Sequence, residues 1–164
     1  MPKTENELLS QTTVRFRPVA ALDVIGGQIA LGQNLVEVQR RLGADVSSTP
    51  VVRGTNVMRV EYPKLGIAVI GTDEVLAIVL CSNKASPINI REMGLNTKSV
   101  QLQVGMTNAD LDRLLGDSDY DFRQLIDPDL NYRFYSDLGI AVLSQNGKIV
   151  QLVISQIPKK RVGF

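Results

Sequence analysis

The sequence predicts an α+β protein made of two tandem homologous units, each a short helix packed on an antiparallel β-meander. Three observations lead to this prediction. The chain repeats itself at an offset of 73 residues, each copy contains one short amphipathic helix, and turn-forming residues divide the apolar stretch behind each helix. Among the 164 residues, 44% are apolar and 21% charged, as in an ordinary globular protein. One continuous curved sheet formed by both meanders is an open alternative to two separate sheets.

The repeat is the strongest signal in the sequence. Ten identities relate positions 29–70 to positions 102–143 without a gap. A chance similarity of two strand-rich stretches would not keep helix and strands in one frame, so the match indicates two copies of one supersecondary unit. The identical positions are Gly32 and Gly105, Arg40 and Arg113, Leu42 and Leu115, Gly43 and Gly116, Tyr62 and Tyr135, and the runs 65–69 and 138–142.

The repeat also sets the predicted boundaries. A short helix around 5–10 and a loose arm are the two options for the start of the chain, and Pro87 and Gly94 mark the connection between the copies. We therefore predict an N-terminal arm over 1–24, a first unit over 25–83, a linker over 84–99, a second unit over 100–157 and a basic tail over 158–164.

The helix of each unit has recognisable ends. In the second unit, Thr107 is placed to cap the helix, Asp110 completes a capping-box pattern and Gly116 suits its end. The first unit has Asn34, Glu37 and Gly43 at the same places. Helices of about nine residues are marginal in isolation, so both must pack on another element.

Three predicted strands follow each helix. Asn146-Gly147 is a strong hairpin signal, because this pair tolerates positive φ at both central positions of the turn. A leading strand is expected before each helix, over 25–31 and 100–104. The meander strands are expected over 57–62, 66–70 and 74–81 in the first unit, and over 130–135, 139–143 and 148–156 in the second.

The order Gly-Met-Thr, helix, Leu-Gly, variable loop, Tyr, Leu-Gly-Ile-x-Val, turn and apolar strand resembles the SmpA/OmlA-like superfamily of outer-membrane assembly lipoproteins. The presence of two copies is similar to the beta-lactamase inhibitory protein family, which joins two such units. The matching residues are all scaffold residues: Gly105, Met106, Thr107, Leu115, Gly116, Tyr135, Gly139 and Ile140, with Gly32, Leu42, Gly43, Tyr62, Gly66 and Ile67 in the first copy.

This resemblance implies a helical layer on one face of an antiparallel sheet, and recognition of proteins by the other face and its loops. The chain departs from the pattern at two points. The disulfides of the inhibitor family have no counterpart, because Cys81 is the single cysteine. The usual second helix is doubtful in the first unit, where Ser47-Ser-Thr-Pro50 breaks a helix, and residues 121–126 are the candidate for it in the second unit.

The residue types present argue against most catalytic chemistry. The chain has no histidine, which is the commonest general base and metal ligand. We expect no cofactor and no metal, and a hydrolase or transferase would have to rely on Asp, Lys, Tyr or Cys81. For Cys81, a buried small hydrophobe is favoured over a reactive thiol. A net charge of +1 gives no overall attraction to nucleic acid.

No stretch of the sequence has the length of a membrane span. The longest apolar run, 75–81, is far shorter than the ~20 residues that a transmembrane helix needs, so no integral membrane segment is expected. If Met1 is the native start, the expected location is cytoplasmic. If a leader was removed, the expected location is periplasmic or envelope-associated.

Aromatic and basic residues supply the first set of candidate binding residues. Arg59, Tyr132 and Arg133 are our candidates for the sheet face that the helices leave open, because Tyr and Arg combine large contact area with polar reach. Tyr62 and Tyr135 are further candidates. The alternative for both is packing against the sheet edge or the helices.

An acidic run supplies the second set. Asp117, Asp119 and Asp121 alternate, and positions 102–156 hold 4 basic and 8 acidic residues against five of each at 29–83. We therefore expect a basic partner surface to meet the second unit. A solvated loop is favoured over a weak cation site, because Phe122 and Pro128 stand where a calcium-binding EF-hand needs Gly and Glu.

The sequence thus predicts a non-enzymatic protein-binding module: an adaptor, an assembly factor or an inhibitor. It would bind another protein through the open sheet face and the loops around 44–56 and 117–129. The alternative is a small-molecule or lipid carrier with a cleft between the two units, which would require an enclosed cavity.

Overall fold

The computed structural model describes residues 16–24, 27–43, 47–51, 53–91, 99–123 and 129–155, which form two α-helices and twelve β-strands. The predicted α+β class is confirmed. In chain order the elements are β1 (Ala21–Val24), β2 (Gly27–Ala30), α1 (Leu35–Leu42), β3 (Ser47–Pro50), β4 (Met58–Tyr62), β5 (Ile67–Gly71), β6 (Val75–Leu80), β7 (Ile88–Arg91), β8 (Ser99–Leu102), α2 (Asn108–Leu115), β9 (Tyr120–Arg123), β10 (Leu130–Tyr135), β11 (Ile140–Gln145) and β12 (Lys148–Ser155).

Eight strands form one antiparallel sheet in the order β3-β4-β5-β6-β12-β11-β10-β9. The two meanders join at its centre, where β6 pairs with β12 and Leu80 lies opposite Leu152. Helices α1 and α2 begin and end 73 residues apart, and so do the one-turn 3-10 helices Pro63–Leu65 and Ser136–Leu138. The element order therefore recurs at the offset of the sequence repeat, while the homology of the two halves remains a prediction.

The predicted helix caps are present. The Asn34 side chain accepts a hydrogen bond from the backbone N–H of Glu37 at 3.1 Å. Thr107 and Asp110 form the reciprocal capping box, in which each side chain accepts from the other residue's backbone N–H. These contacts satisfy N–H groups that the first turn of a helix would otherwise leave unpaired.

Two hairpins lie outside the large sheet, and they correct two of the predicted boundaries. β1 pairs with β2, and β7 pairs with β8. Strand β7 falls inside 84–99, which the sequence indicated as a linker, and β1 falls inside the predicted arm 1–24. The physical reason is burial: Leu22, Ile88 and Ile90 are at most 1% exposed and belong to the core.

The loops around the large sheet also differ from expectation. Residues 120–123 form the edge strand β9 rather than the start of a second helix over 121–126, because their backbone pairs with β10. Residues 47–50 form the opposite edge strand, β3. The arm up to residue 15, with its predicted helix around 5–10, and the tail 158–164 lie outside the described residues.

One hydrophobic core lies between the large sheet and the layer of helices and hairpins. Leu35 and Val38 of α1 and Leu111 and Leu115 of α2 are its helical contribution. The sheet contributes the alternate residues of each central strand, so one face of the sheet is sealed by its own chain. The sheet side of the core is formed by Val60, Tyr62, Ile67, Val69, Ile78, Leu80, Tyr135, Ile140, Val142, Leu152 and Ile154.

Candidate functional site

The face of the large sheet that points away from the helices is the candidate site, and we call it the outer face. A row of directly paired residues crosses seven strands of this face. Most members of the row are small or aromatic. The row runs through Glu61, Ala68, Val79, Val153, Ala141, Phe134 and Tyr120, and it is flanked by Arg59, Ile70, Ala77, Tyr132 and Leu143.

Strand β10 has the opposite polarity to its counterpart β4. In β4 the inward residues are Met58, Val60 and Tyr62, and the outward residues are Arg59 and Glu61. In β10 the inward set includes Asn131 and Arg133 with Tyr135, whereas Tyr132 and Phe134 point outward. The second half therefore places a charged residue inside and aromatic residues outside.

Arg133 lies on the inner face, which corrects its prediction as an outer-face residue. Its side chain is 13% exposed, and its Nη1 atom lies 2.5 Å from a carboxylate oxygen of Asp112 on α2. Its Nε atom is 3.5 Å from Asp121 on β9. Burial works to lower the pKa of Arg133, but the hydrogen bond that Arg133 donates to Asp112 and further contacts outweigh it, so the pKa is raised. The arginine is therefore a charged part of the core edge.

Tyr62 and Tyr135 also lie on the inner face and are corrected as surface candidates. Their exposed fractions are 3% and 0%. Neither hydroxyl has a partner with hydrogen-bond geometry among the described residues. Burial raises the pKa of both side chains, and at Tyr135 the nearby Arg133 guanidinium opposes that effect. The two rings fill the same place in each half of the core, so they stabilise the scaffold rather than contact a partner.

Arg59 lies on the outer face within a small polar cluster. Its Nε donates to Glu61 at 2.6 Å, and an Nη group donates to the Cys81 thiol at 3.5 Å. The side chain thus reaches from β4 across β5, where Ala68 is fully buried. The hydrogen bond to Glu61 raises the pKa of Arg59, and burial raises the pKa of Cys81 although Arg59 opposes that effect. The cluster is a fixed, half-buried charge pair with a largely protonated thiol.

Aromatic side chains dominate the outer face at β9 and β10. Tyr120 is 59% exposed and Phe134 is 37% exposed. An open groove of about 240 Å³ lies beside them and is lined by both rings together with Gly139, Ile140, Ala141 and Ser155, among others. Sequence analysis missed Tyr120 and Phe134. The signal for Phe134 was the alternation of residues along 130–135, which puts it on the same face as Tyr132.

The acidic run is not one functional cluster. The Asp119 carboxylate accepts hydrogen bonds from the backbone N–H and the hydroxyl of Ser136, so it ties β9 to the 3-10 turn. Asp121 faces Arg133, and Asp117 is exposed. Among the residues that the structure describes, no three His, Cys, Asp or Glu side chains lie close enough together to hold a metal ion. The weak cation site therefore gains no support.

Comparisons with known proteins add no assignment. Neither helix within the described ranges is long and apolar enough to cross a membrane. No protein-family model, no curated protein and no solved structure matches the chain. The likeness to the SmpA/OmlA-like superfamily consequently remains a prediction from the sequence.

Proposed function

We propose that this protein is a non-enzymatic protein-binding module whose binding site is the β9–β10 part of the outer face, centred on Tyr120, Tyr132 and Phe134. The inverted polarity of β10 carries the proposal. A strand packed only for stability would turn Phe134 inward and Arg133 outward. Large exposed aromatic residues grouped on one surface are typical of protein interfaces.

The surroundings of the aromatic residues define the partner surface. Beside the rings, Ala141 and Val153 are half-buried and small, so a partner can approach this part of the sheet closely. Within the second half, carboxylates outnumber basic residues by 8 to 4 over positions 102–156. Charge complementarity favours partners of opposite sign and speeds their association. The proposed partner is therefore a polypeptide that presents apolar side chains flanked by Lys or Arg.

Site-specific photo-crosslinking in host cells tests the proposal. A photoreactive phenylalanine derivative is placed at Tyr120, and in a second strain at Val36 on α1, which is 56% exposed against 59% for Tyr120. We expect an adduct with another protein from position 120 and none from position 36. Mass spectrometry of the adduct identifies the partner.

Binding of the purified partner then isolates the contribution of the ring. Phe134→Ser should weaken the affinity at least about tenfold, since truncation of a central aromatic residue removes a large share of interface energy. Val36→Ser is the matched control and should bind like the wild type. Adducts with a second copy of the chain alone, or an unchanged affinity of Phe134→Ser, would contradict the proposal.

A further inference from the structure

A polar cleft of about 400 Å³ lies between the hairpins β1–β2 and β7–β8, and it involves none of the outer-face residues. On β7, Ile88 and Ile90 are buried in the core, while Asn89 and Arg91 alternate with them and are exposed. The cleft is therefore formed by the solvent-facing sides of the two hairpins and by the segment that leads into β1. Its charged and polar lining residues are Arg17, Asp23, Gln28, Asn89, Arg91 and Ser99.

Two arginines meet at this cleft. The backbone N–H of Arg17 donates to the carbonyl of Arg91 at 2.8 Å, which holds the two residues side by side. Within the described part of the chain, neither guanidinium takes part in any of the ion pairs. Both side chains line the same cleft and carry the same charge, so they repel each other. A bound anion would relieve this repulsion.

The remaining polar groups fit the same ligand. The Asn89 side-chain oxygen accepts from Gln101 at 3.0 Å, so its amide N–H₂ group is left to donate. Asp23 accepts from Gln28 at 2.8 Å, which provides part of its hydrogen bonding within the hairpin. With two arginines and one aspartate, the lining has a net positive charge.

We propose that the cleft binds a small molecule through an oxyanion, either a carboxylate or a phosphate, held by the guanidinium groups of Arg17 and Arg91. The planar guanidinium matches both oxyanions, because it can donate two parallel hydrogen bonds. Asn89 and Ser99 donate further hydrogen bonds. This site is separate from the protein-binding surface proposed above, so either proposal can fail without the other.

Titration with inorganic phosphate and with succinate, both at constant ionic strength against sodium chloride, tests this site. Chemical-shift changes of backbone amides report binding of each probe, and the tighter probe identifies the oxyanion. We expect saturable binding of at least one probe, with the largest changes at residues 17–23 and 89–91. Arg17→Gln and Arg91→Gln should each weaken it about tenfold or more, as expected for loss of a charge-assisted hydrogen bond.

Arg113→Gln is the matched control, because the Arg113 side chain is 72% exposed on α2 and far in sequence from the cleft. It should bind the probe like the wild type. Both cleft arginines are exposed, so their variants should retain the wild-type circular dichroism spectrum. Arg91→Lys provides a second test: it keeps the positive charge but cannot donate two parallel hydrogen bonds, so its affinity should be intermediate. Binding of neither probe beyond chloride, or equal binding by all variants, would overturn the proposal.

Discussion

Replacing Tyr135 by Phe should stabilise the protein, because the change removes only the phenolic hydroxyl and keeps the ring that fills the core. The Tyr135 side chain is 0% exposed. Its hydroxyl has no partner with hydrogen-bond geometry among the described residues, although the Arg133 guanidinium lies near enough to oppose the effect of burial on its pKa. An unsatisfied buried polar group costs about 1–3 kcal/mol. Since small shifts can bring a partner within reach, we expect a gain of about 1 kcal/mol in the free energy of unfolding, near the low end of that range.

Urea denaturation and thermal unfolding measure this change. A gain of about 1 kcal/mol corresponds to a rise of roughly 2–4 °C in the melting temperature of a chain this size. The gain should also grow above pH 10. Burial raises the pKa of Tyr135 above its ordinary value of 10.0, so the unfolded wild type loses its proton first and wild-type stability falls as the pH rises. Tyr135→Phe lacks this loss.

Two further variants make the test specific. Tyr62→Phe should stabilise in the same direction, because the Tyr62 hydroxyl is also buried without a partner in the described structure. Tyr132→Phe on the outer face should be nearly neutral. The reasoning is refuted if Tyr135→Phe lowers the free energy of unfolding by about 1 kcal/mol or more, the value expected for a satisfied hydrogen bond.

Three other perturbations have defined outcomes. Gly66→Ala should lower the free energy of unfolding in urea by about 2–4 kcal/mol, because Gly66 has a φ of +67° and a Cβ there would lie 2.8 Å from the Ala85 nitrogen. Gly147 has a φ of +79° and no atom within 4 Å of an added Cβ, so Gly147→Ala should lower it by only about 1–2 kcal/mol. Asp110→Asn should be less stable than wild type at neutral pH, because the Asp110 carboxylate accepts a hydrogen bond from the Thr107 backbone, which lowers the Asp110 pKa. Protonation of the wild-type carboxylate removes this stabilisation, so the difference should vanish as the pH falls below 3.8. Cys81 should react with iodoacetamide at pH 8 several-fold more slowly in the folded than in the urea-unfolded chain, because burial raises the pKa of its thiol; equal rates would show that the thiol is open to solvent.

The parts of the fold that depend on local signals could be predicted from the sequence. The caps at Asn34 and Thr107 and the turn at Asn146-Gly147 each depend on a few neighbouring residues, and the structure contains all of them. Strands whose partners are distant were harder. Strand β7 has only four residues and directly follows Pro87, so its assignment as a strand depends on pairing with β8.

The candidate site depends on which face of β10 is buried, and the sequence alone does not determine that. A period of two forbids adjacent Tyr132 and Arg133 from sharing a face, so their joint assignment to the open face was an error of geometry. Leu130, Tyr132 and Phe134 are together less polar than Asn131, Arg133 and Tyr135, so composition alone would place the first three on the buried face. The structure has the other register, because carboxylates from α2 and β9 meet Arg133 on the inner face.

The choice between these registers bears on function. A shift of one residue would exchange the faces of β10 and bury Phe134 in place of Arg133. Replacing a buried ion pair by apolar residues is often neutral or stabilising, so stability alone gives little reason to keep Arg133 inside. Asp112 and Asp121 are 55% and 52% exposed, which means that they would remain solvated without it. Because packing alone does not explain an arrangement that buries an arginine and leaves aromatic rings outward, this arrangement is the physical basis for proposing a binding site at β9 and β10.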